Sequence, residues 1–176
     1  MILLVPIGEV EEATLETLGQ SLAQVFGSRI EIGDRVLLPQ SRDPRRGQYL
    51  ASTLLALIPS PASGNRALGV VDVDLYAPGL NFVFGQADIA GKRAVISLRR
   101  LRQEFYGLPR DATLFMERSL KEAVHELGHT YGLRHCPNPG CVMHFSNSLG
   151  DTDIKGSDFC TVCQEKVGQD TQPGVL

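Results

Sequence analysis

The sequence predicts an α/β (α+β) fold: a mixed β-sheet layer with two to three helices packed on it, followed by a small subdomain near the C-terminus. Three observations carry that reading. Apolar runs of strand character alternate with stretches of helical periodicity along the N-terminal part of the chain. Three of the four histidines fall within HELGHTYGLRH, residues 125–135. All four cysteines then follow in two close pairs, 136/141 and 160/163.

The elements follow in order. ILLVPI, residues 2–7, is a short and nearly continuous apolar run, as in a strand buried on both faces. Leu15, Leu18, Leu22 and Val25 recur at helical spacing, and Gly27 closes that helix. RIEIGDRVLLP resumes a strand pattern. Arg42, Arg45 and Arg46 lie in a polar loop, read as solvated surface. QYLASTLLALI is a second amphipathic helix, stopped before Pro59. In ALGVVDVDLYA, Val71, Val73 and Leu75 alternate with Asp72 and Asp74, which are expected to mark the polar face of a strand. APGLNFVFGQA and AVISLRRL supply two further strands. Asp111 is positioned to cap a helix that runs to Gly132, with Glu117 and Lys121 four apart along it.

The domain reading divides the chain at 1–132, 133–163 and a tail at 164–176. The middle segment has little periodicity and cannot bury much core, so it needs a staple. At 176 residues and a net charge of −3 the chain is one domain's length, with no basic surplus for meeting phosphates. The N-terminus has no basic leader region, and no segment is long enough to span a bilayer. A soluble cytoplasmic protein is expected, monomer favoured, with reduced cysteines better suited to a metal than to disulfides.

His125 and His129 are four apart on the expected helix, so both imidazoles project from one face. Glu126 is rotated by about a hundred degrees from His125, beside a shared metal without binding it. A glycine at 132 can end the helix in a sharp turn and return His135 to the same ion. Three imidazoles and a vacant position make the catalytic form of zinc coordination. Zinc so held makes water nucleophilic at neutral pH, with Glu126 as the base that takes its proton. Cys136, Cys141, Cys160 and Cys163 form two closely spaced pairs that suit a closed, structural four-thiolate zinc site. Two zinc ions per chain are therefore expected, one catalytic and one structural.

HELGHTYGLRHCPNPGCVM together with FCTVC resembles the archaemetzincins, a branch of the metzincin clan of zinc peptidases. Weaker echoes in YAPGLNFVFGQA and ISLRRLRQEFYGLP extend the likeness over roughly residues 70–163. The resemblance implies a metzincin-like, twisted mixed sheet above a cleft, and His125, His129 and His135 as ligands of catalytic zinc. It also implies Glu126 as the base, Met143 as a hydrophobic floor beneath the metal, and a second zinc on the four cysteines. NFVFGQ, residues 81–86, is the candidate edge strand for pairing with an extended peptide. Several metzincins carry a tyrosine two residues after the methionine, where this chain has Phe145. Oxyanion stabilisation must then come from zinc alone, from His144, or from another group, for which Tyr131 and Tyr106 are candidates.

The function expected is a zinc-dependent metallopeptidase, endo- or aminopeptidase, acting on peptides or proteins. Two alternatives stand beside it. A metal-dependent RNase shares the histidine spacing but lacks a glutamate after the first histidine, and Glu126 and the acidic net charge argue against it. A non-catalytic zinc module for protein interaction explains the cysteines and leaves the histidine string unexplained.

Overall fold

The structure is a computed structural model that describes residues 1–171, with side chains described through 168. Its main sheet has five strands in the order β2-β1-β4-β7-β6: β1 (Ile2–Ile7), β2 (Ile30–Ile32), β4 (Arg66–Val71), β6 (Gly85–Asp88) and β7 (Arg93–Ser97). Four strands are parallel; β6 runs antiparallel to β7 at the edge. A two-stranded parallel ribbon, β3 (Tyr49–Leu50) with β5 (Leu75–Tyr76), flanks it. The sheet is thus mixed, as expected.

Side-chain alternation along the central strands sorts the core into two layers. Ile2, Leu4, Leu68, Val70, Ala94 and Ile96 meet helix α1 (Glu12–Phe26) and helix α3 (Ala112–Thr130) on one face. Val5, Ile7, Ala67, Val71 and Val95 meet helix α2 (Ala51–Ala56) on the other. This is why ILLVPI reads as continuously apolar: each of its faces has a helical layer to fill.

Three expectations are corrected. The alternating run at 67–77 is not one strand. β4 ends at Val71, and Asp72 and Asp74 leave the sheet to pair with Arg102 at 2.9 Å and with Arg100 at 2.6 Å. The edge strand begins at Gly85, so only the last two residues of NFVFGQ belong to it; Val83 makes an isolated bridge to Leu75. Residues 164–171, set in the tail, instead continue helix α5 (Thr161–Thr171), which buries Val167 in the core; residues 172–176 of that tail lie outside the described residues. A short helix α4 (Leu149–Ile154), closed at its start by a Ser148–Asp151 capping box, was not foreseen.

The arginines of the polar loop have structural work. Arg46 donates to the carbonyls of Leu80 and Asn81, tying the loop before β3 to the segment that leads into β6. Among the described residues no helix is long and apolar enough to cross a membrane.

Candidate active site

α3 carries the site, and its two ends are set by local chemistry. Asp111 caps the start, its carboxylate accepting from the Leu114 amide at 2.9 Å. At the far end Gly132 adopts φ 79°, the amide of Leu133 donates to the Gly128 carbonyl, and that of Gly132 donates to His129. That pair of bonds is a Schellman motif, for which a glycine in the left-handed region is the usual solution. The chain therefore reverses within three residues and brings His135 back over the helix. The rings of His125, His129 and His135 stand 4.7–5.3 Å apart, centroid to centroid.

The ligand atoms of these three histidines all lie within 4.8 Å of one another. Two of the rings are oriented by backbone carbonyls: Nδ1 of His125 faces the Val142 oxygen and Nδ1 of His129 the Leu133 oxygen, each at 2.8 Å. A carbonyl only accepts, so each Nδ1 carries the proton and each Nε2 presents a lone pair. These two Nε2 atoms lie 3.2 Å apart. Ligands about 2.0–2.1 Å from a tetrahedral zinc stand about 3.3 Å from one another, so the donor set fits that ion. Burial pushes His125 down to about 2 and lowers His129 and His135, so all three rings are neutral, as ligands must be.

Glu126 faces the same cleft, a cavity of about 520 Å³ between α3 and the β6 edge. Burial, reinforced by the charge of Glu122, pushes its carboxyl up to about 8. Its side chain lies against the backbone of Gly85: a Cβ built there would fall 2.5 Å from the Glu126 Cγ and 2.6 Å from the Val95 carbonyl. Met143 is fully buried under α3, and a side chain at Gly128 would collide with its sulfur.

The proposed oxyanion donors do not come together here. Tyr131 is buried in the core, stacked on Phe26 at 5.4 Å. Tyr106 is exposed beside Phe105, and Nδ1 of His144 faces the Cys136 carbonyl at 3.0 Å. None of the three lines the cleft, whereas Phe145, Ser146 and Asn147 do. Phe145 packs against His135 with ring centroids 4.7 Å apart.

The second cluster lies behind the first. The sulfurs of Cys136, Cys141, Cys160 and Cys163 converge within 4.8 Å with no disulfide among them. Hydrogen bonding from the Cys163 amide lowers Cys160 to about 7, while burial raises Cys141 and Cys163. Four thiols packed this closely suit a thiophilic cation that deprotonates them together.

Missing from the sequence reading are Glu122 and Lys155. Glu122 stands three residues before His125, a spacing visible in the sequence, and it lines the cleft. Lys155 is brought to it by the fold alone, with no signal in the string.

A mixed sheet over a cleft, an HExxH helix turned by glycine and a methionine beneath it define the class of metzincin zinc peptidases. Comparison with known proteins narrows the class. Residues 61–169 match the model of Peptidase family M54. The chain is 47% identical over 176 residues to the archaemetzincin of Pyrococcus abyssi, with 95% of this chain and 94% of that protein covered. It is 45% identical over 163 residues to the archaemetzincin of Methanocaldococcus jannaschii, covering 92% and 89%. Among solved structures, archaemetzincin from Archaeoglobus fulgidus, complexed with malonate, superposes with a TM-score of 0.83 at 38% identity, covering 94% of this chain and 99% of that one. A zinc-dependent peptidase from Methanocorpusculum labreanum gives 0.85 at 31% identity, covering 95% and 100%. The chain belongs to the archaemetzincins, peptidase family M54.

Gly85→Ala tests the packing around Glu126. The added methyl group must displace Glu126 or the edge strand, and a shift near 1 Å is expected to lower peptide hydrolysis by on the order of 10²-fold. Zinc content, read by elemental analysis, should stay at the wild-type value.

Proposed function

We propose that the chain hydrolyses peptide bonds with one zinc ion held by His125, His129 and His135, and with Glu126 as its acid-base group. The observation that carries this is the convergence of three neutral imidazoles beside one buried carboxyl in an open cleft. Zinc, when bound there, supplies Lewis acidity to a water molecule and to the scissile carbonyl. The chain's own residues do the rest. Glu126 takes the proton of the attacking water and holds it in a desolvated pocket against Gly85. It then returns that proton to the departing amine, a shuttle suited to a carboxyl whose proton affinity burial has raised.

An extended peptide lying along the free edge of β6 would add a strand there, its main chain pairing with residues 85–88. Phe82, Phe84, Ile89 and Phe145 then offer apolar contacts to its side chains. No lysine or arginine lines this cleft among the described residues, and phosphodiester substrates call for such charges. That supports the peptidase reading over the RNase one. In the same reading Cys136, Cys141, Cys160 and Cys163 hold a second, structural zinc that organises the 133–163 subdomain. Thiols kept reduced in this way suit a cytoplasmic protein.

Incubating the protein with a diverse peptide library, read by mass spectrometry, tests the assignment. Glu126→Ala is expected to keep its fold and zinc while losing 10²- to 10⁴-fold in hydrolysis, the span usual for an acid-base group. Cleavage that persists unchanged in that variant removes Glu126 from the mechanism. Mild chelation should strip the histidine-held metal first, leaving one zinc per chain and near-native circular dichroism. Loss of both ions in one step speaks against an open and a closed site.

A further inference from the structure

The Lys155 side chain is fully buried, yet its ammonium sits at the back of the active site. Nζ lies 2.9 Å from Glu122 Oε1 and 3.5 Å from Nδ1 of His125. Thr152 Oγ1 donates to the same carboxylate oxygen at 3.1 Å. The segment bearing both groups is clamped onto α3: Arg118 makes a two-pronged bond to Asp153 at 2.6 and 2.7 Å, and Lys121 donates to the Thr152 carbonyl at 3.1 Å. Successive turns of one helix therefore hold residues 152–155 in place.

A buried ion pair is an expensive feature. An apolar pair of similar volume is often as stable or more so, which makes retention of the charges a question about the site. The spacing supplies the answer. α3 carries two Glu-x-x-His units, Glu122 with His125 and Glu126 with His129. In metal sites built on helices, a glutamate three residues before a histidine can bind the same ion. Glu122 also lines the cleft, yet it is no member of the group of ligand atoms that converges within 4.8 Å.

We propose that Lys155 is a positioning residue that tethers the Glu122 carboxylate away from the metal, so that the fourth coordination position stays open. Released, Glu122 would become a fourth protein ligand and convert a catalytic site into a closed one. Lys155 also occupies the space beside His125 Nδ1, leaving the Val142 carbonyl as that ring's acceptor. The inference rests on the histidine metal site proposed above and does not depend on which substrate is cleaved.

The test uses protein with zinc in the thiolate site and cobalt(II) exchanged into the histidine site. In Lys155→Met, a Glu122 carboxylate oxygen replaces solvent at the fourth coordination position. The visible cobalt band is expected to shift, with hydrolysis of the peptide library down at least about tenfold. Adding Glu122→Gln to that variant removes the competing carboxylate, and the wild-type spectrum and rate should return. If Lys155→Met does not fold, the comparison of Glu122→Gln with the double variant still decides, since the tether should be dispensable once its target is neutral. A wild-type cobalt spectrum in Lys155→Met, or a folded double variant well below Glu122→Gln in rate, overturns the proposal. Wild-type protein that binds cobalt at the histidines but cleaves no peptide refutes the hydrolytic reading instead, and the spectra still judge Lys155.

Discussion

Two imidazole nitrogens that face each other at 3.2 Å with both lone pairs inward repel unless a cation or a proton lies between them. Carbonyl acceptors on the far side of each ring fix that arrangement, and burial disfavours the proton. The cluster these rings form with His135 is placed to hold a metal ion. Much of the molecule can be understood as support for this convergence. The α1–α3 layer gives α3 a firm seat, the Asp111 cap and the Gly132 turn set its two ends, and the segment after the turn supplies the carbonyls of Leu133 and Val142.

The same economy governs the carboxylates. Two glutamates, one helical turn apart, face the cleft beside the three converging histidines, and the fold treats them differently. Glu126 is wedged against a glycine with no salt-bridge partner among the described residues, a placement that keeps its proton affinity high. Glu122 is paired with a lysine and a threonine from the C-terminal subdomain. Four converging thiols next to that subdomain's buried Val142 and Met143 explain how so short a segment can hold the lysine and the floor of the site in register with α3.

Local features were legible in the sequence and tertiary ones were not. The three histidines, the base and the turning glycine lie on one helix and its exit, so their spacing alone brings them together. The two cysteine pairs are likewise readable, as is the buried strand Ile2–Ile7. Asp72 and Asp74 were misread because period-two alternation looks the same whether a strand continues or ends in a salt-bridged turn; Arg100 and Arg102 decide it from almost thirty residues away. Gly85 at the base and Lys155 behind it could not be seen at all. Each matters through what it touches across the fold, a relation no window of sequence contains.

The central claim is that His125, His129 and His135 grip one divalent ion and leave a position for solvent. A crystal of zinc-replete protein, with data collected on both sides of the zinc absorption edge, tests this most directly. The account predicts an anomalous peak about 2.0–2.1 Å from all three Nε2 atoms, with water as the remaining ligand, and a second peak among the four sulfurs. A peak missing from the histidines, or one capped by a protein side chain, contradicts it.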